Sequence, residues 1–212
     1  MNSSTPAPAS IEYAESFGPA CPGSLVARDK AFDLDVEPIS EGVATALTVL
    51  ARAINAANVV EVGTGTGVSA LALLAGMAPD GVLTSIDPEN EAQLVAREIL
   101  TAEGVPNRRA RLIAGQALSV LPKLNDHAYD LIFVDGDPLE YVEYVDQGLR
   151  LLRSGGVLVL NHALWHDEVP DETIDADEPL IIREALDAVL AADGVTAALW
   201  PIGDGLLVAV VP

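Results

Sequence analysis

Cys21 is the only cysteine in this chain, so an intramolecular disulfide framework and a cysteine-rich zinc site are both excluded. Basic residues are scarce: 11 Lys and Arg stand against 32 Asp and Glu, a formal charge of -21. A field of that sign repels nucleic-acid phosphates and anionic membrane surfaces, and its simplest consequence is solubility. No run of about 18 uncharged apolar residues occurs, which argues against a transmembrane helix. The start, MNSSTPAPAS, has no basic residue followed by an apolar stretch, so no signal peptide is expected. The expected location is the cytoplasm, with neither nucleic acid nor membrane as partner. Apolar residues, by contrast, are abundant. Half of the 212 residues are hydrophobic although only 4% are aromatic, enough for one domain with a sizeable core.

Along the chain, residues 1–10 are small, polar and proline-bearing and read as loose. Ile11 to Ala31 reads as helical stretches broken by Gly18, Pro19, Pro22 and Gly23. Residues 1–35 therefore form an N-terminal extension with short helices, and 36–212 the main domain. From Ser40 the pattern is regular. Val43, Leu47, Leu50 and Ile54 give a capped amphipathic helix. Strands at 59–62, 82–87, 110–114, 129–135 and 156–160 then alternate with helices at 69–77, 89–102, 117–124, 139–152 and 179–192. Strand 129–135 is almost unbroken apolar, as buried parallel strands are. Val195 to Pro201 and Gly205 to Val211 flank a turn, and so read as a terminal hairpin. The segment His166 to Pro179, with seven acidic residues and two prolines, reads as a loop. The fold class is α/β: an open, mostly parallel sheet with helices on both faces and an antiparallel strand at the end.

Gly63, Gly65 and Gly67 lie between the first strand and its helix. Such glycines permit a tight turn and close approach of a ligand to backbone, with helix-end N–H groups facing an anion. Asp87 ends the next strand, twenty residues past Gly67, where a carboxylate can accept hydrogen bonds from two ribose hydroxyls. Together they point to an adenosine-containing cofactor. The dinucleotide fingerprint G-x-G-x-x-G does not fit, because Val68 holds the third glycine's place. Glu61 is an unusual residue for a buried strand and suits a cationic amino group. S-adenosylmethionine carries an ammonium and a sulfonium; NAD has neither.

At this point the segments VVEVGTGTGVSA (59–70), SIDPEN (85–90), GQALSVLPKL (115–124), YDLIFVDGD (129–137), LLRSGGVLVLNHALW (151–165) and PIGDGLLVAVV (201–211) carry a resemblance. In this order and spacing the chain resembles class I S-adenosylmethionine-dependent methyltransferases, and among them the O-methyltransferases of the catechol and caffeoyl-CoA type. The resemblance runs from about Pro38 to the C-terminus. It implies a Rossmann-like seven-stranded sheet with a reversed last strand, and a homodimer. It also implies that Glu61, Gly63, Gly65 and Ser69 hold the methionine part of the cofactor and that Asp87 takes the ribose hydroxyls. Ala117 would lie beside the adenine, Val36 and Glu37 would close over the cofactor, and Asp135 would border it.

The catalytic end departs from the family pattern. Members that bind Mg²⁺ use an Asp after the fourth strand and an Asp-Asn pair after the fifth. Asp135 matches the first, but Asn161-His162 replaces the pair. Loss of a carboxylate weakens a Mg²⁺ site; Asp135, Asn161 and His162 together suit Mn²⁺ or another transition metal, or no metal. The family's general-base lysine is Pro138 here, which cannot take a proton. His162 is then the nearest candidate base, since histidine titrates near neutral pH, with Asp135 and Asp137 as further catalytic candidates. Trp165 stands where it either walls an aromatic substrate or fills the loop. The expected activity is methyl transfer to a hydroxyl of a small, aromatic, catechol-like molecule. Three alternatives stay open: a catalytically degenerate cofactor binder, a nicotinamide-dependent oxidoreductase, and a metal-independent methyltransferase with another acceptor.

Overall fold

The computed structural model of the chain describes residues 7–212, so most of the segment 1–10 expected to be loose lies outside the described residues. Its last part is not loose. Helix α1 (Pro8–Glu15) begins there with proline in its first turn. Helix α2 (Pro22–Asp33) follows. Pro22 and Gly23 start this helix instead of breaking it, because the first helical N–H groups have no partner to lose. Its small residues Ala27 and Ala31 are fully buried.

Helix α3 (Glu41–Ala53) is capped by Ser40, whose hydroxyl accepts from the Val43 N–H at 3.1 Å. The alternation then runs β1 (Asn58–Val62), α4 (Val68–Gly76), β2 (Val82–Asp87), α5 (Asn90–Ala102), β3 (Ala110–Ala114) and the short α6 (Ala117–Val120). It continues with β4 (Tyr129–Val134), α7 (Tyr141–Leu151), β5 (Leu152–Leu160), α8 (Asp177–Ala191), β6 (Thr196–Trp200) and β7 (Leu206–Val210). Helix α8 begins two residues earlier than the acidic loop was expected to end. Asp177 and Glu178 occupy its first turn, where the helix dipole favours negative charge.

The seven strands lie in the order β3-β2-β1-β4-β5-β7-β6. Strands β1 to β5 pair in parallel, and β7 is antiparallel to both of its neighbours. The sheet is thus the expected Rossmann-like one with a reversed last strand. Side chains alternate across it with period two. Val59, Leu83, Leu131 and Phe133 pack under α3 and α4. Val60, Val62, Ile132 and Val134 pack on the opposite face against α7 and α8. Two apolar layers therefore clamp the sheet, and the strand order reverses between β1 and β4. A crevice opens at the carboxyl ends of strands at such a switch point.

Candidate functional site

The main chain sets the floor of this crevice. Beyond the ends of β1, β4 and β5 the ladder runs on by one residue. The Gly63, Asp135 and Asn161 N–H groups donate to Ile86, Val62 and Val134 carbonyls at 2.8–2.9 Å. These three positions consequently stand at one level. Gly63 must be glycine: its φ is +90°, and a Cβ would fall 2.1 Å from the Asp135 carbonyl oxygen. The loop so formed borders a cleft of about 100 Å³ lined by Val36, Glu37, Gly63, Gly65, Ser69, Asp87 and Asp135.

Asp87 is held by the loop it faces. One carboxylate oxygen accepts from the Gly65 N–H at 2.8 Å, the other from the Glu89 N–H at 2.7 Å. Each oxygen keeps a second lone pair for a ligand hydroxyl. Glu61 is fully buried. A one-way chain of donors reaches it. The Gln93 amide donates to the Thr64 hydroxyl at 3.1 Å, that hydroxyl lies 2.6 Å from Ser85 Oγ, and Ser85 donates to Glu61 Oε2. Ser85 is also the cross-strand partner of Glu61. The other oxygen, Oε1, is buried without a partner. Burial pushes the Glu61 carboxyl up to about 8, against the pull of the Ser69 and Ser85 hydroxyls, with the Asp135 and Asp87 charges adding to the rise. An orphaned, charge-averse acid at the foot of a glycine loop fits a ligand carrying an ammonium group. The residues present therefore fit S-adenosylmethionine.

Not every expected contact lies in this cleft. The Ala117 side chain is buried among Ile86, Leu121 and their neighbours, and Ala117 is not among the residues lining the cleft. Asp137 caps the turn that follows it, accepting from the Leu139 N–H at 3.0 Å. Cys21 is exposed.

Asp135, Asn161 and His162 do meet. Asn161 Nδ2 donates to Asp135 Oδ1 at 2.7 Å, and His162 Nε2 lies 3.5 Å from the same oxygen. The histidine is turned there by a left-handed backbone, φ +51°. Trp165, His166 and Asp167 are also left-handed, a concentration of strain of the kind found at functional sites. The Trp165 ring meets the His162 ring edge-on at 6.0 Å. Burial raises the Asp135 carboxyl, and His162 and Asn161 pull it back.

This trio does not fit Mg²⁺. That ion needs oxygen donors around it; Asp135 and the buried, unpartnered Asn161 Oδ1 offer them, but an imidazole supplies the third position. Among the described residues no group of three or more His, Cys, Asp or Glu side chains converges on a common point.

Two features went unseen in the sequence. The Thr64–Ser85–Gln93 network uses residues ordinary in any helix or strand, and only the Glu61–Ser85 register brings them together. Asp204 reads as a turn residue between glycines, yet its carboxylate lies 3.0 Å from His162 Nδ1.

Comparison with known proteins agrees with this geometry. A model of the O-methyltransferase family matches residues 28–211. A Mycobacterium ulcerans protein provisionally named an O-methyltransferase is 42% identical over 216 residues, covering 99% of this chain and 96% of its own. A Mycolicibacterium smegmatis relative with a similar name is 44% identical over 184 residues, 87% of this chain and 88% of its own. Among solved structures, the O-methyltransferase TomG of Streptomyces achromogenes, involved in tomaymycin synthesis and in complex with SAM, superposes with a TM-score of 0.86. It is 25% identical, with 95% of this chain and 94% of that chain covered. A Corynebacterium glutamicum protein superposes equally well, TM-score 0.86, at 29% identity and 93% coverage of each chain.

Proposed function

The chain belongs to the O-methyltransferase family, and on that premise we propose that it methylates a hydroxyl of a small, aromatic, catechol-like acceptor with His162 as general base and without a metal. The observation that carries this reading is that one carboxylate, Asp135, borders the cofactor cleft on one side and the His162 ring on the other.

When bound, S-adenosylmethionine supplies an electrophilic methyl group on a sulfonium. Asp87 would accept from its ribose hydroxyls, Val36 and Glu37 border the mouth of the cleft, and Glu61 Oε1, buried without a partner beneath the glycine loop, would accept from its ammonium group. His162 Nε2 would take the proton of the acceptor hydroxyl, whose place on the oxygen the cofactor's methyl group would fill. A phenol has a pKa near 10, so removal of that proton is the help the acceptor needs; a positioned base contributes about 10²–10⁴-fold. Asp135, held by Asn161, keeps the imidazolium company until its proton passes to solvent. Trp165, edge-on to His162, supports an aromatic acceptor.

The expected homodimer and cytoplasmic location belong to the same reading. Exposed Phe17 and Phe32 support the first. No helix among the described residues is long and apolar enough to cross a membrane, in keeping with the second.

The test is labelled methyl transfer to catechol and to 3,4-dihydroxybenzoate, with Mg²⁺, with Mn²⁺ and with a chelator, for wild type and His162→Ala. Transfer that survives the chelator and falls at least ~100-fold in the variant is the expected result. Transfer abolished by the chelator overturns the metal-free reading. S-adenosylhomocysteine binding without transfer to any acceptor gives the chain the role of a cofactor-binding protein.

A further inference from the structure

The hairpin between β6 and β7 reaches across the sheet to the strained turn after β5. Its tip is Gly203-Asp204-Gly205, with both glycines left-handed at φ +54° and +85°. Gly205 lies against Leu164, where a Cβ would meet the Leu164 amide nitrogen at 2.7 Å. The Ala163 and Leu164 N–H groups donate to the Gly205 and Asp204 carbonyls at 3.0 Å. The tip is therefore stitched by backbone to the segment that carries His162.

Its side chain is stitched too. Asp204 Oδ1 accepts from the His166 N–H at 2.8 Å, and Oδ2 lies 3.0 Å from His162 Nδ1. The carboxylate is four-fifths buried. A carboxylate only accepts, so the hydrogen in that 3.0 Å contact belongs to Nδ1. The other ring nitrogen, Nε2, is 3.5 Å from Asp135, beyond a good hydrogen bond, and so lies unpaired beside the carboxylate that borders the cleft.

We infer that Asp204 is a positioning residue. It holds the His162 proton on Nδ1 and thereby presents the Nε2 lone pair to the acceptor hydroxyl. It touches neither cofactor nor acceptor and acts through the imidazole. After proton transfer it faces the imidazolium formed on His162 and stabilises that charge, while the turn backbone keeps the ring from swinging out. The role rests on the reading of His162 as the base, and it assigns the terminal hairpin a part in the chemistry.

Two measurements test it. The first needs no turnover. Histidine labelled with ¹⁵N gives three pairs of ring signals, from His127, His162 and His166, and a His162→Gln sample identifies the pair of interest. At a pH where the rings are neutral, wild type is expected to show His162 protonated at Nδ1. In Asp204→Asn the side-chain amide can donate, so the proton is expected to move to Nε2. The second is turnover with catechol. Asp204→Asn is expected to lower kcat by ~100-fold or more with the KM for S-adenosylmethionine and the thermal midpoint near wild type, and Asp204→Glu to recover part of the loss. An unchanged tautomer, or an unchanged kcat in Asp204→Asn, overturns the inference. A wild-type protein that transfers no methyl group overturns the function instead, and the tautomer then decides the Asp204–His162 contact by itself.

Discussion

Folding moves the Glu61 carboxyl far from its ordinary range. In the cofactor-free fold it holds its proton up to about pH 8, whereas an ordinary glutamate loses it near 4.5. Between those values the folded state binds a proton that the unfolded chain has released, so stability falls as pH rises across the window. An ammonium group beside Oε1 reverses the preference and favours the carboxylate. Affinity for S-adenosylhomocysteine is therefore expected to rise as pH approaches 8. Glu61→Gln should flatten that dependence, weaken binding by about 10- to 100-fold, the value of a charged hydrogen bond, and remove the loss of cofactor-free stability toward pH 8. Calorimetric titration and thermal melts from pH 5.5 to 8.5 measure both. A variant whose pH profiles parallel those of wild type would refute the assignment. Asp87 has both oxygens fixed by the Gly65 and Glu89 N–H groups.

At the scale of elements, two connections do what strands and helices cannot. The β1–α4 loop brings a main chain within contact of another, and Gly63 is where they nearly touch. Gly63→Ala adds a Cβ 2.1 Å from a carbonyl oxygen at a left-handed φ, so it combines overpacking with backbone strain. A loss of ~2–4 kcal/mol in urea unfolding is expected. Gly104→Ala is the internal control: φ is +76° there but nothing lies within 4 Å, so only strain of about 1 kcal/mol applies. Equal losses at the two sites would show that the Asp135 contact adds nothing. The other connection is the β6–β7 turn. Its glycines let Asp204 approach the β5 segment, and it carries the one charged group that meets His162 Nδ1.

For the whole molecule, the distribution of charge matters more than its sum. Arg52, Arg108, Arg109, Arg150 and Arg153 bond to groups at the amino ends of the strands, away from the cleft. Two arginines nearer the cleft are engaged by backbone: Arg28 donates to the Ile39 carbonyl, and Arg183 to the carbonyls of Val169, Glu168, Asp171 and Ile174. The cleft itself presents Glu37, Asp87 and Asp135, and the segment after β5 adds seven acids. An anionic acceptor approaches this end against a negative field. Uncharged catechol should thus show a higher kcat/KM than 3,4-dihydroxybenzoate at low ionic strength. Raising salt from 20 to 200 mM, which shortens the Debye length to under about 10 Å, should narrow the gap. A ratio insensitive to salt would mean that the field does not reach the acceptor.

The sequence alone determined the layered sheet, because period-two and period-3.6 apolar patterns separate cleanly between Ser40 and Ala192 and the final hairpin has its own turn signal. It also marked Gly63, Gly65 and Asp87, since a left-handed turn and a strand-end acid are local requirements written in single residue types. The start of α2 at Pro22 was less legible, for a proline opens a helix as readily as it ends one. The buried donor chain into Glu61 and the Asp204–His162 contact were decided by tertiary structure. The first depends on which residue of β2 faces Glu61, a matter of strand register. The second joins residues 42 positions apart through a reversed strand that inserts between β5 and β6. A side chain's local sequence encodes its conformation, but its partner is chosen by how the sheet closes.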